Sequence, residues 1–431
     1  MVEINMHKIP HLTTALQVPL LELEKICLTY QHEIEHWFRS KWQTNQPPFY
    51  GSVDLRNSGY KLTPIDMNLF PGGFNNLNPE FIPLAVQAIN NLMSRYCPHT
   101  KKILLIPENH SRNQAYLKNI YTLNFILEQA GIQTVIGSLS DEITAPTIIN
   151  VTDELTMTYH PIKRENNRIK TIAGFDPCTI LLNNDLSSGR PVILENLEQT
   201  LLPPLNAGWY MRKKTNFFTE YDKVCEEFAK IVNIDPWKIN AYFDIATDLN
   251  FSTNTGIETL AQKVDSVIEK IKLKYAEHNI TDTPYVVVKA NNGTYGMGMM
   301  TVASGDEILS INRKSKNKMA VIKDGQTVHD VIVQEGVHTF EKIHNNVAEP
   351  VIYMMDSSVI GGFYRVHSKK KENENLNSVG AHFTPLSFVC KPLGNNSKTK
   401  LECCGPNRFY TYSVIARLAL LASSMELKAY L

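Results

Sequence analysis

The sequence predicts an α/β protein in which a parallel βαβ sheet stands beside antiparallel hairpins, and four stretches carry that reading. Between residues 103 and 136 a buried apolar run, an amphipathic segment and a second apolar run follow one another in βαβ order. At Tyr285 to Val302, YVVVKANNGTYGMGMMTV, a β-branched run ends in Lys289. A glycine-rich loop with Gly293, Gly296 and Gly298 then enters a second strand rather than a helix. Near each end of the chain, at 49–68 and 348–366, two short runs meet at a turn as hairpins do.

Taken in order, Pro19 opens a long amphipathic helix whose Leu23, Ile26, Cys27, Tyr30, Ile34, Trp37 and Phe38 recur at three- and four-residue steps. Gln46-Pro47-Pro48 stops it. Phe49 to Asn57 and Tyr60 to Asn68 read as strands joined at Ser58-Gly59, and Asn78 with Pro79 caps the next helix. Ile103 to Ile106, a helix through Ala130, the stop at Gly131 and a strand at Ile132 to Ile136 form the βαβ unit. Cys178 to Leu182 adds a parallel strand. Residues 219–276 read as helical, with breaks at Asp235-Pro236 and Ser252-Thr253. Strands are then expected at Val331 to Gln334, Pro350 to Met355 and Val359 to Val366, followed by a polar loop, SKKKENEN, and a final helix. The expected boundaries are 1–98 (helix and hairpin), 99–205 (βαβ unit), 206–280 (helical) and 281–431 (flap and later strands).

Composition excludes several classes. Lys+Arg and Asp+Glu both count 43 in 431 residues, so no net field points to nucleic acid or a membrane surface. The most apolar segment, Val414 to Met425, is interrupted by Arg417 and too short to span a bilayer, so it reads as a buried helix. The seven cysteines include no C-x-x-C pair, and reduced thiols in the cytoplasm are the simplest expectation. The chain leaves a homo-oligomer open.

Chemistry is expected where the flap meets other segments. A dinucleotide fingerprint or P-loop needs its glycines to open a helix. Glycines between two strands instead make a hairpin flap whose backbone can lie close over phosphates, with Lys289 as the cation beneath. The same glycines also suit a plain structural hairpin. VIVQEGV ends a strand in Glu335 before Val337: its backbone suits an adenine amino group and its carboxylate a ribose, or Glu335 is simply solvated. Glu349 and Arg365 sit on one hairpin, where Arg365 either offers fixed donors to a transferring phosphoryl group or pairs with a carboxylate. Asn375 and Asn377 lie in a polar turn. Period two sets Asp66 and Asn68 on one strand face with Asp54 on the partner strand, an oxygen donor set suited to Mg²⁺.

This order resembles the ATP-grasp arrangement, with the metal strands moved to the N-terminus as in eukaryotic glutathione synthetase; that family's E-x-N is Asp66-x-Asn68 here. The segments PIDMNLFPGGFNNL, IPENHSRN, VKANNGTYGMGMM, VIVQEGV, AEPVIYMMD, GGFYRVH and NLNSVGAHF resemble a small proteobacterial family of glutamate–cysteine ligases. The resemblance implies an ATP-grasp-like α/β fold and the joining of L-glutamate to L-cysteine at the expense of ATP, the first step of glutathione synthesis. It implies Lys289, Gly293, Gly296, Gly298, Glu335, Val337, Asn375 and Asn377 around ATP, with Arg365 at the γ-phosphate. Asp54, Asp66 and Asn68 would hold Mg²⁺, and Arg56, Arg112 and the backbone of Gly72-Gly73 would receive glutamate. The flap and the SKKKENEN loop would close over the site. Glutathione synthetase, another carboxylate–amine ligase, an acyl-phosphate-forming kinase and a non-catalytic ATP-binding regulatory protein remain open alternatives at this point.

Overall fold

A computed structural model describes residues 18–109, 113–292, 298–320, 327–386 and 408–430. Three sheets organise them. The first joins the two ends of the chain. Strand Tyr50–Asn57 pairs with Leu62–Asn68 on one side and with Asn346–Met355 on the other; Ser358–His367 and His382–Pro385 continue the sheet, all antiparallel. The register sets Asp54 opposite Asp66 and Glu349 opposite Arg365. The turn closes at Gly59, whose φ of 86° lies in the left-handed region that glycine enters without steric cost.

The second sheet runs Phe243–Ala246, Val331–Glu335, Val286–Ala290, Met299–Val302, again antiparallel. Strand alternation gives it two characters. Val286, Val288, Val331 and Val333 pack into a core with Leu260, Val264 and Ile271 of helix Ile257–Glu277, while Val287 and Lys289 turn to the opposite face. That opposite face, with the first sheet, walls a cleft. The third sheet carries the βαβ unit: Gln133–Ser138, Lys102–Pro107, Thr179–Asn183 and Thr200–Leu202 run parallel, with helix Gln114–Gln129 between the first two in sequence. The expected α/β class, the parallel strand after 177 and the hairpins are all present.

The final helix, Arg408–Lys428, is buried on nearly every side from Val414 to Ala422, which explains why its sequence shows no polar stripe. It packs against helix Lys214–Val232 and strand Leu62–Asn68. Its Glu426 accepts both arms of Arg212, at 2.9 and 2.8 Å, with both side chains buried. Among the described residues no helix is long and apolar enough to cross a membrane.

Two expectations about secondary structure need correction. The helix expected from Pro19 is two helices, Val18–Thr29 and Gln31–Thr44, turning at Tyr30, although backbone bonds Tyr30→Ile26 and Ile34→Tyr30, both 2.9 Å, carry the ladder across. The stretch read as helical through 276 contains the strand Phe243–Ala246. Four residues at a sheet edge are too few to show a period against helical neighbours.

Candidate active site

The cleft between the first two sheets spans about 820 Å³, counting space open to solvent, and is lined by residues from four distant parts of the chain. Asp54, Arg56 and Asp66 come from the N-terminal hairpin, Lys214 from a helix start, Val287, Lys289, Met299, Thr301 and Gln334 from the second sheet, and Glu349, Arg365, Asn375 and Asn377 from the C-terminal part. Period two on paired strands sets Val287, Lys289, Met299, Thr301 and Gln334 on one floor, because Val287 stands opposite both Thr301 and Gln334, and Lys289 opposite Met299.

Charges of both signs meet at the centre. Lys289 donates from Nζ to the Ile65 carbonyl at 2.8 Å and to Gln334 Oε1 at 2.7 Å. Burial pushes its pKa down to about 8, and Lys214 and Arg56 add to that, against the pull of Asp66 and Asp54. Lys214 donates to Asp66 Oδ1 at 2.8 Å and lies 4.5 Å from the centre of the Trp209 ring. Burial pushes the Asp66 carboxyl up, but Lys214 and Lys289 beside it hold it below the usual carboxylate range. Arg365 bridges two carboxylates, with Nη1 donating to Asp54 Oδ2 at 2.7 Å and to Glu349 Oε1 at 2.6 Å. Its Nε–H has no partner among the described residues. Asp54 goes the other way: burial raises it despite Arg365, and Glu349 and Asp66 add repulsion.

Lys214 was not foreseen. The sequence reading began its helix at 219, whereas the helix begins at Lys214 itself. Asn291, next after the Lys289 strand, fixes that start: its carbonyl accepts from Lys214 N at 2.7 Å and its Oδ1 from Thr215 N at 3.0 Å. The basic run Arg212-Lys213-Lys214 after Trp209 was the available signal.

Several expected roles do not survive the geometry. Glu335 is not open to a ribose: Lys61 donates to its Oε1 at 2.6 Å, Trp237 Nε1 to the same oxygen at 3.1 Å, and Tyr242 N to Oε2 at 2.8 Å. It is a buried pin between the N-terminal turn and the second sheet. Lys61 and Glu335 side chains are each 1% exposed, so Lys61→Met strands a buried carboxylate. We expect it to lower unfolding free energy by about 3 kcal/mol, read from urea melts. Arg56 is spent on Glu349 Oε2 at 2.9 Å, the Val337 carbonyl at 3.0 Å and the Glu372 and Glu374 carbonyls. It thereby ties the SKKKENEN loop to the N-terminal hairpin while lining the cleft. Asn68 is absent from the cleft lining and accepts from Phe70 N at 2.8 Å.

Gly72 and Gly73 also lie outside the cleft. The Gly73 N–H donates to Asn119 Oδ1 at 2.8 Å and the Gly72 carbonyl accepts from the Tyr353 hydroxyl. Asn375 Oδ1 accepts from Asn377 N at 2.9 Å, so the pair lines the cleft while closing its own turn. Gly336 is required sterically, since a Cβ there would sit 2.0 Å from the Tyr285 ring. Gly298 opens the flap's second strand with φ 60°; Gly293, Gly296 and Arg112 lie outside the described residues.

Comparison with known proteins gives a family and one close solved structure. The glutamate-cysteine ligase family (GshA) matches residues 24–427. A crystal structure from Methylobacillus flagellatus KT, provisionally named gamma-glutamylcysteine synthetase, is 52% identical over 98% of this chain and 99% of that one, with a TM-score of 0.89. D-alanyl-alanine synthetase A from Vibrio cholerae O1 biovar eltor matches at 12% identity over 74% of this chain and 81% of that one, TM-score 0.35. A glutathione synthetase-like effector from Globodera pallida matches at 11% over 80% and 77%, TM-score 0.34. These two scores are too low to carry an argument. Among curated protein sequences nothing matches the chain.

Proposed function

The chain belongs to the glutamate–cysteine ligase family, and from that premise we propose how its cleft performs the ligation of L-glutamate to L-cysteine with ATP. The single observation that carries the reading is the convergence of Lys214, Lys289 and Arg365 with Asp54, Asp66 and Glu349 in one cleft, drawn from both ends of the chain. Phosphoryl transfer asks for little covalent chemistry from a protein; it asks for alignment and for charge set against the phosphate oxygens.

Adenine would lie on Val287 and Met299 with its amino edge toward the backbone of 335–337. Lys214 and Lys289 would face the α/β-phosphates, and Arg365, already fixed by two carboxylates, would face the γ-phosphate. The γ-carboxylate of glutamate then attacks the γ-phosphorus, releasing ADP and giving an acyl phosphate. The amine of cysteine attacks the acyl carbon, phosphate leaves, and γ-glutamylcysteine forms. Water has to be kept from the acyl phosphate, which otherwise hydrolyses.

The donor types suit a hard divalent cation, although as placed the three carboxylates do not converge on one point and are held by Lys214, Arg365 and Arg56. Asp54 and Asp66 face each other across two strands, and Glu349 adds to the repulsion that raises Asp54, a strain that bound Mg²⁺ would relieve. Asp54, Asp66 and Glu349 would hold it, with Asn68 outside the set. When bound, the ion would neutralise phosphate charge. We expect Asp66→Asn to raise the Mg²⁺ concentration needed for half-maximal ATP binding by roughly tenfold with the melting temperature nearly unchanged, since Asp66 is 43% exposed to the cleft and the replacement is isosteric. An unaltered Mg²⁺ requirement would remove Asp66 from the ligands.

The test of the function is a substrate panel read by phosphate release and product identity. Glutamate plus cysteine should give one phosphate per γ-glutamylcysteine, and γ-glutamylcysteine plus glycine should give neither. The opposite pattern would make the chain a glutathione synthetase. ATP binding with no amino-acid-dependent phosphate release would make it a non-catalytic binder.

A further inference from the structure

Gln334 has one end committed and the other open. It is 1% exposed, and its Oε1 accepts from Lys289 Nζ at 2.7 Å. An ammonium only donates, so this contact fixes which end of the amide is oxygen and turns the NH₂ away from Lys289. That Nε2 has no hydrogen-bond partner among the described residues. A buried donor left without a partner is costly, and a protein rarely leaves it uncompensated. The side chain lines the cleft between the 335–337 backbone and Lys289, on the same floor as Val287 and Met299. Glu335, next in the chain, points to the opposite side, into Lys61 and Trp237.

We propose that Gln334 reads the purine of the bound nucleotide, donating from Nε2 to N7 while its carbonyl oxygen holds Lys289 for the phosphates. The assignment rests on the ATP reading of this cleft. A base whose amino edge meets the 335–337 backbone turns N7 toward the phosphate side, where Gln334 stands. Adenine presents an amino donor and the N7 acceptor side by side. With Oε1 engaged by Lys289, Gln334 keeps only the half of that pairing which N7 needs. One amide thus couples recognition of the base to the orientation of the phosphate-facing cation.

The test compares ATP with 7-deaza-ATP, in which a C–H replaces N7, on the full-length enzyme with glutamate and cysteine present. The wild type should use 7-deaza-ATP about five- to tenfold less efficiently by kcat/KM, the magnitude of one lost neutral hydrogen bond. Gln334→Met, which removes both ends, and Gln334→Glu, which keeps an acceptor for Lys289 but no N–H, should each use the two nucleotides equally. The wild-type comparison needs no variant to fold. Normal ATP turnover with equal use of 7-deaza-ATP, or variants that keep the wild-type discrimination, would overturn the assignment alone. Absence of amino-acid-dependent ATP turnover in the wild type would overturn the ligase reading and this assignment with it.

Discussion

Lys289→Met is expected to lower turnover at saturating substrates by a factor of about one hundred or more while the protein stays folded. Lys289 is the cation on the cleft floor, held by the Ile65 carbonyl and Gln334 rather than by a salt bridge. Both partners are neutral, so most of its charge remains available to a phosphate. Methionine fills the same space, and the lost ammonium leaves no carboxylate stranded. The depressed pKa adds a second readout. Burial, Lys214 and Arg56 bring Lys289 to about 8, against Asp66 and Asp54, well below an ordinary lysine near ~10.4. The free enzyme therefore carries the ammonium below pH 8 and loses it as pH rises through that value. ATP affinity should fall over the same interval, and binding near pH 8 should take up a proton, seen as a buffer-dependent calorimetric heat. In Lys289→Met that proton uptake should vanish. Wild-type turnover in the variant would exclude Lys289 from the site.

Arg365→Ala is expected to cost both activity and stability. Turnover should fall about a hundredfold or more through the missing γ-phosphate donor. The unfolding free energy should fall by about 3–5 kcal/mol, because Asp54 and Glu349 would be left buried without the guanidinium that bridges them. The sequence offers a carboxylate partner for Arg365 as one of two readings; the sheet supplies two, Asp54 and Glu349. Arg365→Lys should recover part of the stability and little of the activity: one ammonium is a point charge and cannot hold two carboxylates in a fixed plane. Denaturant melts beside steady-state kinetics separate the two losses. A folded, fully active Arg365→Ala would refute its position at the phosphate.

How much of this was legible in the sequence follows from the range of the interactions. Strand periodicity and turn residues are local, so the Ser58-Gly59 hairpin, the strand ending at Lys289 and the βαβ unit could all be read. Asp54 and Asp66, on adjoining strands of one hairpin, do meet across it in register. What failed was competition for polar groups from segments far away in the chain. Glu335 looks free in VIVQEGV, but its partner Lys61 lies 274 residues earlier. Arg56 looks like a free substrate donor in the sequence and pairs with Glu349, 293 residues on. Asn68 shares the expected strand but bends its side chain onto Phe70 N at 2.8 Å, a local bond that the period-two argument does not weigh. Lys214 was hidden because its placement depends on Asn291, 76 residues later along the chain from Thr215.

The proposed chemistry couples phosphoryl transfer in this cleft to the γ-carboxylate of glutamate. Isotope transfer tests it most directly. With glutamate carrying ¹⁸O in the γ-carboxylate, ATP and cysteine, each phosphate released should contain one ¹⁸O atom, because the oxygen that attacked phosphorus leaves with it when cysteine takes the acyl carbon. Lys289→Met should give the same label at a lower rate. Phosphate released without ¹⁸O, alongside γ-glutamylcysteine, would contradict the acyl-phosphate route and the reading of the cleft built on it.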